Sequence, residues 1–519
     1  MPLLHYLIIK IIKKKGDFMD TGVFISLGLY FAVMLGIGLF AYRNSEANVE
    51  GYLLGGRQLS PAVTALSAGA SDMSGWMLMG VPGAMFIAGM SSSWIGIGLV
   101  IGAWCNYKYV APRLRVYTEV ANNAITIPDY FSERFIDTSH VLRIISALVI
   151  ILFFTLYTSS GVVAGGKLFE SSFGLDYQLG VFITAGVVVA YTLFGGFMAV
   201  SLTDFVQGCI MFIALILVPT VVVFELGGIN HTITAINAID PNYFSLFNAV
   251  GSLDSIGIIA IISLMAWGLG YFGQPHIIVR FMALRDVKDM PVARRIGMSW
   301  MIIALFGAFA TGLFGMVYAT ENNLQVDDPE TIFIMLSQLL FHPLIAGFLL
   351  AAILAAIMST ISSQLLVTSS SLVNDIYEVV LRKDATQREL VLASRLAVLA
   401  VAIVAILLAL GENKSILSLV SNAWAGFGAA FGPLILLSLY RQDISKIAAL
   451  AGIISGTVTI LIWMNIPYGN GQTLSAWMFE LLPGFVISTL MILLFTKLYP
   501  NSEPMVAEHF KAMNAKLKN

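Results

Sequence analysis

The chain has 519 residues, of which 58% are hydrophobic and only 11% charged, with a mean hydropathy of +0.86 and a formal net charge of −2. No soluble globular composition is this apolar, so the polypeptide is expected to reside in a lipid bilayer. The near-neutral balance, without any long run of one charge, excludes a nucleic-acid partner, and no polar stretch is long enough to fold as a domain of its own.

Apolar runs of about 20 residues predict an all-α polytopic membrane protein of thirteen helices, at 23–41, 61–88, 94–111, 144–169, 178–197, 203–226, 256–276, 297–319, 332–372, 393–410, 416–439, 447–466 and 480–497. An odd count places the termini on opposite faces. Lysine and arginine accumulate in cytoplasmic loops. Arg43, Arg57, the basic residues between 108 and 143, those between 280 and 295, those between 382 and 395, Arg441, Lys446 and the C-terminal lysines all fall on one side, and the other holds only Lys167 and Lys414. The N-terminus is therefore expected outside and the C-terminus inside. Lys10, Lys13, Lys14 and Lys15 run against this orientation, and Met19 opens MDTGVFISLGLYF just after them. Residues 1–18 are accordingly read as a doubtful N-terminal extension, 19–500 as one transmembrane domain and 501–519 as a cytoplasmic tail.

The second span, PAVTALSAGASDMSGWMLMGVPGAMFIAGM from Pro61 to Met90, holds one ionisable residue, Asp72, among Gly69, Gly75, Gly80 and Pro82. A carboxylate at the centre of a membrane helix costs roughly 2.5 to 3.5 kcal/mol on insertion scales, so it normally faces a cavity, a partner or an ion. Trp94, Trp104, Tyr107 and Tyr109, near the ends of the third span, read as an interfacial belt. Cys105 and Cys209 lie in separate spans and read as small buried residues, not a disulfide. Residues 122–135, NNAITIPDYFSERF, are expected to form a short surface helix after Pro128, with Asp129 near its start, clamping the larger helices. Asp204 opens the sixth span in SLTDFVQG, where Ser201 or Thr203 would cap the helix and an acidic first turn is favourable; the alternative is a carboxylate that handles a second ion.

The seventh span is interrupted like the second, through Gly268, Gly270, Gly273 and Pro275 in MAWGLGYFGQP. These breaks open two equal sets of five spans, two to six (about 61–226) and seven to eleven (about 256–439), a pattern that points to inverted repeats with a site at the bilayer midplane. Trp267 and Tyr271, one turn apart in the break, suit a small amphipathic ligand through packing and attraction to a cation. In the ninth segment, broken at His342 and Pro343, Ala356, Ser359, Thr360 and Ser363 share one helical face. Hydroxyl, carbonyl and carboxylate oxygens are what a hard cation such as sodium takes. The six histidines form no HExxH pattern, and with no strands expected there is no strand-borne phosphate loop, so an enzyme is not expected and stays a weak alternative; a channel would need rings of repeated segments or subunits, and none is visible.

ASDMSGW (70–76), YTLFGGFMAVSLTDFVQ (191–207), AWGLGYFGQPHIIVRFMA (266–283) and AAIMSTISSQLLVTSS (355–370) closely resemble the sodium:solute symporter family, and with EGYLLGGR (50–57) they look most like its sodium/proline symporter branch. The resemblance covers about residues 20–500. It implies a leucine-transporter-type core of two inverted five-helix repeats and coupled entry of sodium and L-proline across a bacterial-type inner membrane, with no obligate protein partner. Carried over by motif, a sodium site uses the carbonyls of Ala70, Met73 and Ala356 with the hydroxyls of Ser359 and Thr360, and Asp72 matches a sodium-critical aspartate. Ser74, Gly75, Tyr157, Trp267, Tyr271 and Pro275 match substrate-lining positions. Asp204, Ser362 and Ser363 match a second sodium site found in some relatives. Another amino acid, a sugar or a monocarboxylate as substrate, or a sensor built on the same core, are the rival readings.

Overall fold

The computed structural model of the chain describes residues 2–44, 49–247, 255–411, 415–469 and 471–518; Lys414 lies outside them. It is helical almost throughout. Among the described residues, ten helices are long and apolar enough to cross a membrane, or eleven when the bent pair Gly257–Gly273 and Pro275–Met282, which meet at 45°, is taken as one span. The remaining predicted spans fall short of this test for local reasons. The start of the second, α2 (Pro61–Asp72), ends at the expected break. Its continuation, Trp76–Gly80 and α3 (Val81–Ala88), runs by way of Gly89 into α4 (Ser93–Cys105). Gly89 sits at φ 62°, a left-handed turn that favours glycine.

The predicted loop between spans five and six is absent. One helical run, Tyr177–Glu225, is broken only at Gly196 (φ 57°, ψ −167°), a conformation essentially reserved for glycine. A single residue does the work of a connection, which hydropathy cannot see. A second difference is a short antiparallel hairpin, β1 (Pro467–Gly469) with β2 (Gln472–Thr473), where no strand was expected. The predicted surface helix forms as Ile127–Arg134, capped by Thr126, whose hydroxyl accepts from the Asp129 amide at 3.0 Å. Its Ile127, Tyr130 and Phe131 are buried, as a clamp requires. The C-terminal segment forms a helix, Pro504–Lys518, that lays Phe510 against Tyr117 and pairs Lys516 with Glu119 at 2.7 Å. Both cysteines are free.

Burial separates lipid-facing helices from central ones. Only 28% of the first span, Thr21–Ala41, and of the last, Leu481–Leu498, is buried, against 83% of Pro343–Leu381 and of Ile416–Tyr440. The hydroxyl-rich helix α5 (Pro343–Ser370) is thus a central column, packed on α2, on α6 (Val141–Phe173) and on the Tyr177–Glu225 run. Its start is set by His342, whose ring accepts from the Leu344 amide at 3.4 Å, and by Pro343 in the first turn.

The two broken regions are tied together on their loop side. Leu59, just ahead of α2, accepts from Arg285 N and donates to Ala283 O at 3.0 and 3.1 Å. Arg57, counted above as a loop charge, is buried and donates to the carbonyls of Met282 (2.7 Å) and Ala124 (2.9 Å). Burial, reinforced by Arg115, pushes its guanidinium down to about 10, still protonated at neutral pH.

Candidate functional site

The seventh span begins as α7 (Ser255–Met265), tightens into a 3₁₀ stretch over Ala266–Gly273, becomes extended at Gln274 and restarts as α8 (Pro275–Met282). Four glycine or proline positions allow this, but side chains hold it. Trp424 Nε1 donates to Trp267 O at 2.8 Å, Asn106 Nδ2 to Tyr271 O at 3.0 Å, and Gln274 Nε2 to Trp424 O at 3.1 Å. The Trp267 and Tyr271 carbonyls of the unwound stretch are thereby satisfied inside the protein, as a membrane interior demands. Main chain meets main chain on one side: a Cβ added at Gly102 or Gly98 of α4 would collide with the carbonyl oxygen of Gly268 or Met265, and one at Gly268 with that of Gly98.

The first break is built in the same way. Trp76 Nε1 donates to Asp72 O at 3.0 Å, and the Tyr157 hydroxyl reaches the same oxygen at 3.4 Å. Gly75 is required by packing, because a Cβ there would lie 2.8 Å from Ala164 Cβ. Ser74 Oγ lies 3.5 Å from Trp76 N.

These breaks meet. The Tyr271 hydroxyl donates to Asp72 Oδ2, and the rings of Trp76 and Trp267 are 6.5 Å apart. Trp267 stacks on Phe479 at 5.3 Å and on Trp424 at 6.4 Å, while Tyr271 stands edge-on to Trp424 at 5.1 Å. On the other face of α2, the Ser359 hydroxyl donates to Ala70 O at 2.7 Å and to Ala356 O at 3.1 Å, and that of Thr360 reaches the same two oxygens at 3.5 and 3.2 Å. Two carbonyls and two hydroxyls therefore converge where the C-terminal, negative end of α2 stops, a setting that favours a hard cation. Met73, at ψ 76°, is the residue where the helix unwinds.

Asp204 departs from its expected role. Thr203 donates back to Ala199 O and Val200 O, and neither it nor Ser201 caps a helix, because the helix starts well before Asp204. The Asp204 carboxylate instead accepts from Ser67 Oγ at 2.7 Å and pairs with Arg280 of α8 at 3.2 Å, with both side chains fully buried. Arg280 also donates to Ser363 Oγ, to His276 O and, at 3.1 Å, to Ser67 Oγ. Ser362 turns away and donates to Ser359 O at 3.1 Å. The Asp204 and Ser363 oxygens that were matched to an ion thus surround a guanidinium.

Tyr107 is not a belt residue. It is buried, with its ring 4.7 Å from that of Phe281, whereas Trp104 and Tyr109 are exposed as an interface requires. His276, beside Pro275, is fully buried edge-on to Phe154 and Tyr157 at 5.3 and 5.9 Å, and neither ring nitrogen has a partner among the described residues. Asn106, Arg280, His276 and Trp424 were all missed by sequence reasoning. A further cavity of about 900 Å³ opens near Gly83, lined by Lys167, Asp328 and Glu330, where Lys167 pairs with both acids at 2.8 Å. Glu330 also accepts from Ser415 Oγ and from Ile416 N, fastening the start of the Ile416–Tyr440 helix.

The profile of the Sodium:solute symporter family matches residues 52–456. The chain is 57% identical over 470 residues to the osmoregulated proline transporter OpuE of Bacillus subtilis (strain 168), covering 91% of this chain and 93% of that one. It is 56% identical over 477 residues to the high-affinity proline transporter PutP of the same organism, covering 92% and 98%, and 52% identical to sodium/proline symporter 2 of Staphylococcus saprophyticus, covering 91% and 93%. Among solved structures, a substrate-bound, outward-open Na⁺-coupled sialic acid symporter superposes with a TM-score of 0.77 at 19% identity over 93% of this chain and 99% of that one, a likeness of fold.

Proposed function

The chain belongs to the sodium:solute symporter family, and from that premise we propose that it couples the inward movement of sodium to uptake of L-proline by alternating access across a bacterial inner membrane. It is a transporter and not an enzyme. Relatives above 50% identity over nearly the whole chain are named proline transporters, which supports the substrate. The observation that carries the mechanism is the convergence of Asp72, Tyr271, Ser359 and Thr360 on two facing helix breaks.

In this reading ten of the thirteen spans form two inverted repeats, about 61–226 and 256–439, with the N-terminus outside and the C-terminus inside. Sodium is held by the carbonyls of Ala70, Met73 and Ala356 and the hydroxyls of Ser359 and Thr360. Binding there joins α2 to α5 and fixes the shape of the break. Proline occupies the space among Ser74, Gly75, Tyr157, Trp267, Tyr271 and Pro275, with its carboxylate toward freed half-helix amides and its ring against the aromatic faces. Because the ion orders the pocket, sodium tightens proline binding and proline tightens sodium binding by the same factor. One charge crossing 100 mV supplies about 2.3 kcal/mol. A tenfold sodium gradient adds about 1.4 kcal/mol, for roughly 500-fold accumulation of a zwitterion per ion.

At the Asp204 cluster, Arg280 already supplies the positive charge, so we assign it a tethered cation in place of a second sodium. Asp204→Asn is then expected to leave the number of sodium ions moved per proline unchanged; a measured drop in that ratio returns Asp204 to the ion path.

Radiolabelled proline uptake into proteoliposomes under imposed sodium, lithium, potassium or proton gradients tests the whole reading, which fails if no sodium-driven accumulation occurs. Trp267→Ala is expected to weaken proline binding at saturating sodium roughly tenfold to a hundredfold, equivalent to about 1.4 to 2.7 kcal/mol. An unaltered affinity removes Trp267 from the pocket.

A further inference from the structure

The π-helical turn over Asn106–Val110, at the cytoplasmic end of the third span in the orientation given above, serves two faces at once. Inward, Asn106 donates to the Tyr271 carbonyl at 3.0 Å and the Tyr107 ring packs on Phe281, so the turn braces the unwound stretch of the seventh span. Outward, it presents Lys108 and Tyr109, both exposed. Five residues of a regular α-helix leave two side chains roughly 140° apart around the axis, which would separate Trp104 from Tyr109. The wider π turn, bonded i to i+5, brings them together. Their rings meet edge-on at 6.1 Å, and the Lys108 ammonium sits in the corner they form, 4.5 Å from the Trp104 centroid and 5.3 Å from that of Tyr109.

A second cation joins the first. The Arg113 guanidinium lies 4.1 Å over the ring of Tyr440, the last residue of the Ile416–Tyr440 helix, and donates to Leu439 O at 3.1 Å. The Tyr440 hydroxyl donates to Tyr109 O at 2.9 Å, which fastens the two ring-held cations into one patch. Neither Lys108 nor Arg113 pairs with a carboxylate among the described residues, although other basic residues on this side do. Arg115 pairs with Glu119 at 2.6 Å, Lys446 with Asp137 at 3.2 Å, and Arg441 with Asp443. Two positive charges are left for a partner outside the chain.

The surface around them selects that partner. Ile101, Trp104 and Lys108 follow one another at helical spacing on one face, and Ile101, Trp104, Tyr109 and Tyr440 are all exposed. From the bilayer interior toward the cytoplasm the face runs aliphatic, aromatic, cationic. Acyl chain, glycerol ester and phosphate follow in the same order in a phospholipid whose headgroup lies at the aromatic belt. A soluble anion matches the charges but not the apolar surface beside them, and a zwitterionic headgroup brings its own cation against Lys108 and Arg113.

On that orientation, we propose that the patch where the third and eleventh spans end binds one anionic glycerophospholipid of the inner leaflet, with its phosphodiester between Lys108 and Arg113. The lipid steadies the π turn and, through Asn106, the break that lines the proline pocket. The test is native mass spectrometry of the full-length protein in detergent, titrated with phosphatidylglycerol, phosphatidylcholine or inorganic phosphate. Proline affinity at saturating sodium is measured alongside, in phosphatidylcholine vesicles with and without phosphatidylglycerol. The parent is expected to hold one phosphatidylglycerol at least about tenfold more tightly than phosphatidylcholine, and the double variant Lys108→Gln, Arg113→Gln to lose that preference. Lys108→Gln alone, at an exposed position, is expected to lose roughly fivefold of it, and Lys108→Arg to keep it, which a purely structural role would not require. Phosphatidylglycerol is expected to tighten proline binding about threefold in the parent and not in the double variant. A parent that holds both lipids alike, or a double variant that keeps the preference, overturns the proposal. Phosphate that displaces the lipid makes this a soluble-anion site and overturns it too, and a proline affinity indifferent to the lipid overturns the link to the pocket. A parent without sodium-driven proline uptake overturns the symport reading and leaves the lipid titration standing, so the two failures are distinguishable.

Discussion

Asp72→Asn is expected to raise the sodium concentration for half-maximal proline uptake at least about tenfold, or about 1.4 kcal/mol, while the protein still folds and inserts. The substitution preserves shape and one acceptor oxygen. It removes a charge that no lysine, arginine or histidine among the described residues balances, and it puts an amide, a donor, where an ion needs an acceptor. The fold has little reason to suffer, because a neutral side chain is cheaper than a carboxylate in this interior. The measurement is initial uptake rate against sodium concentration in proteoliposomes, normalised to protein recovered in monodisperse form. Sodium dependence that superimposes on the parent's removes Asp72 from the ion path.

Arg280→Met is expected to show the opposite division, a large loss of stability whose rescue needs a second change. Removing one member of a buried ion pair strands the other and typically costs about 3 to 5 kcal/mol. Here the stranded group is Asp204, left with neutral hydroxyls such as that of Ser67, and Ser363 and His276 O lose their donor. The double variant Arg280→Met, Asp204→Asn, which leaves no charge behind, is expected to recover most of the thermal midpoint in detergent. If the single variant is as stable as the parent, or the double variant is worse than the single, the guanidinium is not what neutralises Asp204.

The contrast between these two acids explains what could and could not be foreseen. Asp72 was legible because its apolar context admits no bland explanation for a carboxylate. The two breaks were legible because glycine and proline cluster in matching places, and the Ser359 face because its hydroxyls recur at helical spacing. Arg280 was read as one more basic residue beyond the end of a span. Its immediate context, HIIVRFM in an eight-residue helix that is buried throughout, was the available signal, and counting charges by loop overrode it. Tyr107 and Asn106 gave less to work with. A tyrosine near a span end is usually interfacial, and the π-helical turn over Asn106–Val110, which helps decide where these side chains point, leaves no mark in hydropathy. Gly196 was visible as a residue, but only tertiary context tells a backbone reversal from a packing glycine.

The close approach of α4 to the unwound seventh span carries a practical lesson for anyone redesigning substrate choice. Around Gly98, Gly102 and Gly268 the scaffold is bare peptide against bare peptide, so even a methyl group has nowhere to go. Mutant libraries that randomise this seam will return mostly dead clones, whatever solute they are selected on. Useful diversity has to come from the aromatic wall, at Phe479, whose ring stacks on Trp267 and satisfies no carbonyl, whereas Trp76 and Trp424 are fixed by the carbonyls they hold.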